Sequence, residues 1–266
     1  MTSTPVFRVA ADKLGGSEAG LGAGIDNVTA IRLDGPEGRH AALVRRLQPG
    51  ERVNLTDGAG RLAECVVRGA GSHGDPFLDL DVLELRALPR PDPRICVVQA
   101  LAKGDRGELA VETMTEIGVD EIVPWSASRS ITQWRGDRGE KALAKWRSTA
   151  AEASKQSRRI WWPDIAGLAT TAQVAQRLSA ARLAIVLHEE GERSLADLTP
   201  DQLGPQSGRP GDIVLIVGPE GGIGAEELKV FAEAGGVPYR MGPTVLRTST
   251  AGTAAAAVLL ARSGRW

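Results

Sequence analysis

Two hydrophobic rhythms divide the chain. In the first third, Val28 to Leu33, Glu51 to Thr56, Leu62 to Val67 and Phe77 to Leu85 are short runs of β-branched or alternating apolar residues. Such runs predict strands. Asp57-Gly58-Ala59-Gly60 stands between two of them and is a strong hairpin turn signal. Arg39 to Leu47 is the one stretch there with helical spacing, with Ala42, Leu43 and Leu47 along one face. Beyond Pro93 the rhythm changes. Apolar runs at Ile95 to Leu101, Glu121 to Pro124, Leu183 to Leu187 and Ile213 to Val217 alternate with helical stretches. Those stretches are Arg106 to Ile117, Glu140 to Gln156, Thr171 to Ala181 and Ala225 to Ala234. Strand and helix in alternation predict a parallel sheet covered on both faces. In the longest helix Leu143, Trp146, Ala150 and Ala153 share a face, which turns Lys141, Lys145 and Arg147 outward. An alanine-rich helix closes the chain. Between the two textures lies Leu88-Pro89-Arg90-Pro91-Asp92-Pro93, whose alternating prolines continue neither a helix nor a central strand. The expected domains are therefore 1–88 and 89–266.

Composition narrows the class. Of 266 residues, 42% are hydrophobic and 24% charged, the balance of an ordinary globular protein. The net charge of -1 excludes a uniformly basic nucleic-acid binder but leaves room for a local patch. Residues 129 to 159 hold nine Lys/Arg against three acids, a concentration suited to steering a polyanion. A solvated helix face accounts for that run equally well. The two cysteines, Cys65 and Cys96, belong to no CxxC, so neither a disulfide framework nor a zinc knuckle is expected. No basic-then-apolar start and no run of membrane-spanning length is present, and the expected compartment is the cytoplasm. Residues 15–24 are rich in Gly and Ala. Gly20-x-Gly22-x-Gly24 within them follows no strand and lacks the dinucleotide spacing, which rejects a Rossmann reading.

Candidate chemistry concentrates near the end. The apolar run Ile213 to Val217 passes straight into Gly218-Pro219-Glu220-Gly221-Gly222. Glycines at the C-terminal end of a buried strand let a ligand approach the backbone. No Gly-Lys-Ser/Thr follows, so this is not a Walker A loop, and a tight strand-to-helix turn is the plain alternative. A second loop, Met241-Gly242-Pro243, leads to Leu246-Arg247-Thr248-Ser249-Thr250-Ala251, where a Ser or Thr can cap the final helix. Arg247 is a candidate for contact with RNA or support of a cofactor pocket, and equally for a carboxylate pair. His188 follows the Leu183 to Leu187 run as a possible general base or a simple strand cap. Glu189 and Glu190 are adjacent and diverge, so they form no paired-carboxylate site. No metal-ligand cluster and no Ser/His/Asp constellation stands out.

Taken together these blocks resemble the RsmE family of SPOUT RNA methyltransferases. Lys103-Gly104-Asp105-Arg106 with Glu112-x-x-Thr115-Glu116-Ile117-Gly118-Val119 is similar to the family's block after its first methyltransferase strand. Pro124, Arg129-Ser130, Ala150 to Arg159, Gly218 to Gly222 and Met241 to Ala251 continue the likeness. Lys155-Gln156-Ser157 differs somewhat from the usual form, and Ser249 stands where the common form has a glutamate. Glu37-Gly38-Arg39-His40 through Val44-Arg45-Arg46, then Asp57-Gly58, resembles the family's PUA-like domain.

The resemblance implies methylation of N3 of a uridine in 16S ribosomal RNA, with S-adenosylmethionine as cofactor and no metal. It implies an α/β SPOUT domain with a parallel sheet and a trefoil knot, an N-terminal β-rich PUA-like barrel, and a homodimer. The assembled small ribosomal subunit is the expected partner, with no membrane. On this reading Arg247 serves the methyl transfer. The cofactor rests on Leu187, His188, Gly218, Pro219, Glu220, Gly221, Gly222, Met241, Gly242, Val245, Leu246 and Thr248. RNA contacts fall to Arg39, His40, Arg45, Arg46, Lys103, Arg106, Arg129, Lys155, Arg158 and Arg159. Two other readings, a nucleotide-dependent enzyme of a different class and a non-catalytic RNA-binding protein, are separated from it by cofactor binding.

Overall fold

The computed structural model describes residues 4–15, 28–71, 74–204 and 211–266. Contacts group the chain into two units. The first is Met1–Arg90 with Arg158–Trp162, and the second is Pro91–Ser157 with Pro163–Trp266. Of the glycine-rich stretch 15–24, only Gly15 lies inside the described residues.

The first unit is built on a five-stranded sheet. Its strands are β1 (Val6–Arg8), β2 (Ala30–Leu33), β3 (Arg52–Thr56), β4 (Arg61–Ala70) and β5 (Leu78–Ala87), in the order β1-β3-β4-β5-β2. β1 runs parallel to β3, and the remaining pairs are antiparallel. Alternation seats Val53, Leu55, Ala63, Cys65, Leu78 and Leu80 inward, with Phe7, Leu14 and Leu33, as one core. The expected hairpin turn is present. Asp57 Oδ1 accepts from the amides of Ala59 at 2.7 Å and Arg61 at 3.1 Å, and Gly58 and Gly60 take φ of 78° and 100°. At Gly60 even a Cβ would stand 2.4 Å from Trp161, so the turn fits only glycine against the segment Arg158–Trp162.

The expected helix Arg39 to Leu47 is corrected at both ends. It begins as α1 (Gly35–Arg39), with Pro36 in its first turn, and widens into a π turn over His40–Val44. Proline there presets the helical φ where no amide donor is needed. Gly38 inside the helix is required by packing: it lies so close to Leu33 that a Cβ would meet its carbonyl oxygen at 2.3 Å.

The second unit carries seven parallel strands: β6 (Ile95–Ala100), β7 (Glu121–Trp125), β8 (Asp164–Ile165), β9 (Leu183–Leu187), β10 (Arg193–Ser194), β11 (Ile213–Val217) and β12 (Val237–Arg240). Their order is β10-β12-β9-β11-β6-β7-β8. Helices α2 (Arg106–Ile117), α3 (Gly136–Gln156), α4 (Thr171–Ser179), α5 (Pro200–Leu203), α6 (Ala225–Glu233) and α7 (Thr248–Arg262) connect or follow them. Two cores lie on this sheet. One gathers Ile95, Val97, Met114, Trp146, Leu215, Ala255 and Leu259; the other gathers Cys96, Val98, Trp125, Val174, Ile216 and Phe231. Neighbouring strand residues fall into opposite cores, as the pleat requires. In α3 the expected face holds: Trp146, Ala150 and Ala153 are buried while Lys141, Lys145 and Arg147 are exposed. Strand β12 went unexpected because Pro238 interrupts its run. It is tolerated because the short neighbour β10 begins pairing only at Tyr239.

Candidate active site

The C-terminal ends of β9, β11 and β12 carry the glycine loops, and the start of α7 meets them. Thr248 is buried at the first position of α7, and its Oγ1 donates to the carbonyl of Gly218 at 2.8 Å. One hydrogen bond thus ties the loop after β12 to the loop after β11. This corrects the expectation of a Ser or Thr cap. The cap position is Arg247, whose carbonyl accepts from the amides of Thr250 and Ala251, while the Thr248 hydroxyl is turned toward Gly218.

Beneath this tie sits Gln99, fully buried in β6. Its Nε2 donates to Thr248 Oγ1 at 2.9 Å and to the Ala100 carbonyl at 3.2 Å. Gly252 of α7 lies directly over it: a Cβ there would meet Met114 Sδ at 2.8 Å, Gln99 Oε1 at 3.3 Å and Val217 Cγ2 at 3.4 Å. The small residues of α7 therefore let the helix backbone press onto the sheet, which a larger side chain would prevent.

The loop after β11 is held from outside by a main-chain amide and two arginines. Glu220 Oε1 accepts from the Lys103 amide at 3.3 Å and lies 3.8 Å from Arg106 Nη1. Arg129 Nη1 donates to the Gly221 carbonyl at 3.2 Å. Of the loop glycines only Gly222, at φ 72°, needs the left-handed region. Gly221 instead lies against Arg129, while beside Gly242, its chain neighbours apart, no atom of the described residues comes within 4 Å of where a Cβ would stand. The space beside Gly242 is open to a ligand.

Arg247 is exposed, and its side chain makes no hydrogen bond or ion pair with any described residue. Val245 beside it is 80% exposed, far more than an apolar residue needs for packing. His188 does not stand free. Its Nδ1 accepts from the Glu190 amide at 3.2 Å and its own amide donates to Tyr239, so the ring caps the turn after β9. Leu187, Leu246 and Met241 are half-buried at the same strand ends. Burial pushes the Cys65 thiol up to about 12 and holds Cys96 well above the usual thiol range, so neither supplies a thiolate at neutral pH.

Two buried polar residues at the site escaped sequence reasoning. Gln99 is one. The other is Glu227 of α6, which accepts from the Ser128 amide and hydroxyl at 2.8 Å each, the Gly224 amide at 3.0 Å and the Thr171 hydroxyl at 3.3 Å. It fastens the segment carrying Arg129 to the helix that follows the β11 loop.

The expected RNA-contact residues fall in both units. Lys103, Arg106 and Arg129 gather at the β11 loop in the second unit. Arg39, Arg45 and Arg46 are exposed in the first unit, where His40 packs edge-on against Phe7 with ring centroids 5.8 Å apart. Arg158 is exposed at φ 56°. Lys155 and Arg159 are engaged internally: Lys155 Nζ pairs with Glu152 at 2.8 Å, and Arg159 Nε donates to the Trp161 carbonyl at 2.8 Å. Within the 129–159 run, Arg158 and Arg159 belong to the first unit and the rest to the second.

A parallel α/β unit with main-chain loops at its strand ends, joined to a β-rich unit, has the make-up of an RNA methyltransferase. Residues 89–260 match the family model described as the RNA methyltransferase domain, and residues 33–74 match the RNA methyltransferase PUA domain. The chain is 43% identical over 238 residues to the ribosomal RNA small subunit methyltransferase E of Mycobacterium bovis, covering 88% of this chain and 87% of that protein. It is 25% identical to the protein of the same name from Bacillus subtilis, over 85% of this chain and 88% of that one. Its fold resembles the crystal structure of the Neisseria gonorrhoeae enzyme of that name, with a TM-score of 0.76, 24% identity and coverage of 99% and 98%. The chain belongs to the ribosomal RNA small subunit methyltransferase E family, RsmE.

Proposed function

We propose that this protein transfers the methyl group of S-adenosylmethionine to N3 of one uridine in the 16S ribosomal RNA of the small subunit. The observation that carries the reading is the Thr248–Gly218 hydrogen bond, which brings two glycine loops together at the ends of parallel strands in a chain of this family. The gonococcal neighbour is described as bound to S-adenosyl methionine. The residues fit such a group. Gly218, Pro219, Glu220, Gly221 and Gly222 on one side, and Met241, Gly242, Val245, Leu246 and Thr248 on the other, offer main-chain donors and acceptors with little side chain in the way. Leu187 and His188 complete the floor at the end of β9. The cofactor supplies an electrophilic methyl group when bound.

The protein's own task is to present the base and manage its proton. Uracil N3–H is a Watson–Crick donor, so the base must be unpaired or flipped out of its stack. Loss of that proton spreads negative charge onto the flanking carbonyl oxygens. Arg247, a planar five-donor cation with no internal partner among the described residues, is suited to stabilise that charge. Holding the base and the methyl donor in line supplies much of the remaining acceleration. Lys103, Arg106 and Arg129 lie within reach of the β11 loop as phosphate contacts, and Arg39, His40, Arg45 and Arg46 serve the N-terminal domain as RNA-recognition residues. The division of labour runs between 1–88 for recognition and 89–266 for chemistry.

The same reading includes a trefoil knot through which α7 passes, supported by the closeness of Gly252 to Met114 and Val217. It includes a homodimer, supported by Leu109 of α2, an exposed apolar residue one turn from the Thr113–Thr253 contact between α2 and α7. The place of work is the cytoplasm, on the assembled subunit. No helix of the described residues is long and apolar enough to cross a membrane. The test is to incubate the purified protein and labelled S-adenosylmethionine with small subunits, or with naked 16S RNA, from cells lacking the enzyme. Label recovered as N3-methyluridine from the subunit is the expected result. Label on another atom or another RNA overturns the reading.

A further inference from the structure

β6 is buried along its whole length and apolar at every position but one. Its sequence is Ile95-Cys96-Val97-Val98-Gln99-Ala100, and Gln99 is as buried as its neighbours. An amide side chain in such a place costs free energy unless every polar atom is paired. Here it is not fully paired. Nε2 uses both hydrogens, one on Thr248 Oγ1 and one on the Ala100 carbonyl. Oε1 is buried and has no hydrogen-bond partner among the described residues.

The amide orientation is fixed by what Thr248 does. The Thr248 hydroxyl has one hydrogen, and it is spent on the Gly218 carbonyl at 2.8 Å. Toward Gln99 the hydroxyl can therefore only accept, which puts Nε2 on that side. Oε1 is left facing Gly252, where a glycine offers it no donor. An apolar residue of the same length would remove the orphaned oxygen. A buried, half-satisfied amide contributes little to stability for that reason, since leaving a buried acceptor unmade costs free energy.

We propose that Gln99 is a positioning residue for the cofactor loops: through Thr248 Oγ1 it fixes the Gly218 carbonyl, and so sets the spacing between the loop after β11 and the loop after β12. The relay runs Gln99 Nε2 to Thr248 Oγ1 to Gly218 O, joining β6, α7 and β11 in one line of hydrogen bonds. It rests on the reading that these loops hold S-adenosylmethionine. Gln99 does not touch the cofactor in this account. It holds in register the residues that do. The stability it forgoes at Oε1 is consistent with a residue kept for geometry.

The test compares Gln99→Met, Gln99→Leu, Thr248→Val and Thr248→Ser with the wild type in the full-length protein. S-adenosylmethionine affinity is read by calorimetry, melting temperature by scanning, and single-turnover methylation on small subunits. For Gln99→Met and Gln99→Leu the expected result is cofactor affinity lowered about tenfold, as for a lost 1.4 kcal/mol, with a melting temperature equal to or above wild type and unchanged RNA affinity. Thr248→Ser, which keeps the hydroxyl, is expected to bind more tightly than Thr248→Val. Adding Gln99→Met to Thr248→Val is expected to weaken binding no further, because the relay is already cut. If the wild type binds cofactor and both Gln99 variants bind it equally well, the inference is overturned while the functional reading stands. If both Gln99 variants melt well below wild type, Gln99 is a folding residue and the inference is again overturned. If the wild type itself binds no S-adenosylmethionine, the functional reading fails first.

Discussion

Arg265 grips Asp120 with both terminal guanidinium nitrogens. Nη2 donates to Oδ1 at 3.1 Å and Nη1 to Oδ2, while the same group donates to the carbonyls of Pro93 and Gly118. Asp120 also accepts from the Ile95 amide at 2.8 Å. The residue just beyond α7 is thereby fastened to the first residue of the central strand β6. Removing the cation leaves a buried carboxylate short of its partner. Arg265→Ala is expected to cost about 3 kcal/mol, the lower end for breaking a buried pair. Denaturant unfolding should show a lower midpoint, and Arg265→Lys should recover part of it. A midpoint equal to wild type would mean that the clamp adds nothing to stability.

Gly242 and Gly221 separate ligand space from protein space. Beside Gly242, its chain neighbours apart, no atom of the described residues lies within 4 Å of a Cβ position, and its φ is not in the left-handed region. Gly242→Val should therefore leave the melting temperature within about 1 °C, since surface changes away from special features fall near ±0.5 kcal/mol. Its affinity for S-adenosylmethionine should fall at least about tenfold if the cofactor fills that space. At Gly221 a Cβ meets the Arg129 carbonyl at 3.3 Å, so Gly221→Val is expected to shift the Arg129 segment and disturb RNA and cofactor binding together. Calorimetry on both variants checks the contrast. Normal affinity in folded Gly242→Val would remove that loop from the site.

Lys103 and Arg158 are exposed cations in different units. Each alanine substitution is expected to weaken RNA binding and to reduce the slope of log affinity against log salt by about 1, as fewer counterions are released. Cofactor affinity should not change. An unaltered slope for either variant would return that residue to the plain solvated surface. Arg159→Ala is a poorer probe, because Arg159 also holds the Trp161 carbonyl.

Arg32 on β2 stands opposite Asp79 on β5, bonded at 2.8 Å, with its guanidinium over the Phe77 ring. The hydrogen bond from Arg32 holds the Asp79 carboxyl below its ordinary value. A carboxylate depressed in the folded state contributes stability above its unfolded pKa, about 3.9, and that contribution is lost as pH falls through the folded value. The first unit should therefore lose stability below about pH 4, and Asp79→Asn should flatten that part of the profile. Unfolding followed from pH 6 to pH 2 checks this. An identical acid slope in the variant would show that the pair carries none of it.

Much of the fold was legible because its signals are local. An apolar run followed by Gly218-Pro219-Glu220-Gly221-Gly222 marks a strand end and an open loop within ten residues, and the alternation of runs and helices after Pro93 needs no long-range information. What stayed hidden depends on distant partners. Glu227 reads as an ordinary exposed acid in the first turn of α6, because its partners Ser128 and Thr171 lie 99 and 56 residues away. Gln99 looks like a polar lapse in an apolar strand until Thr248, 149 residues on, is placed above it. Strand β12 was masked by Pro238, whose cost depends on whether a neighbour needs its amide. The segment Arg158–Trp162 passed for the end of a basic helix, yet it packs on Gly58 and Gly60 of the first unit, about a hundred residues away in sequence, a relation no local pattern records.

Methyl transfer to a single uridine is tested most directly by mass spectrometry of 16S ribosomal RNA nucleosides and fragments from a deletion strain, complemented with wild-type or Arg247→Ala protein. Arg247 caps α7 through its carbonyl alone, so the alanine variant should fold, melt near wild type and still bind S-adenosylmethionine. The expected result is loss of one N3-methyluridine in the deletion strain, full return with wild type, and little or no return with Arg247→Ala. Arg247→Lys should restore only part, because an ammonium lacks the fork of donors. An RNA whose N3-methyluridine is unchanged by the deletion would contradict the proposed activity. Full return with Arg247→Ala would contradict the role given to that arginine.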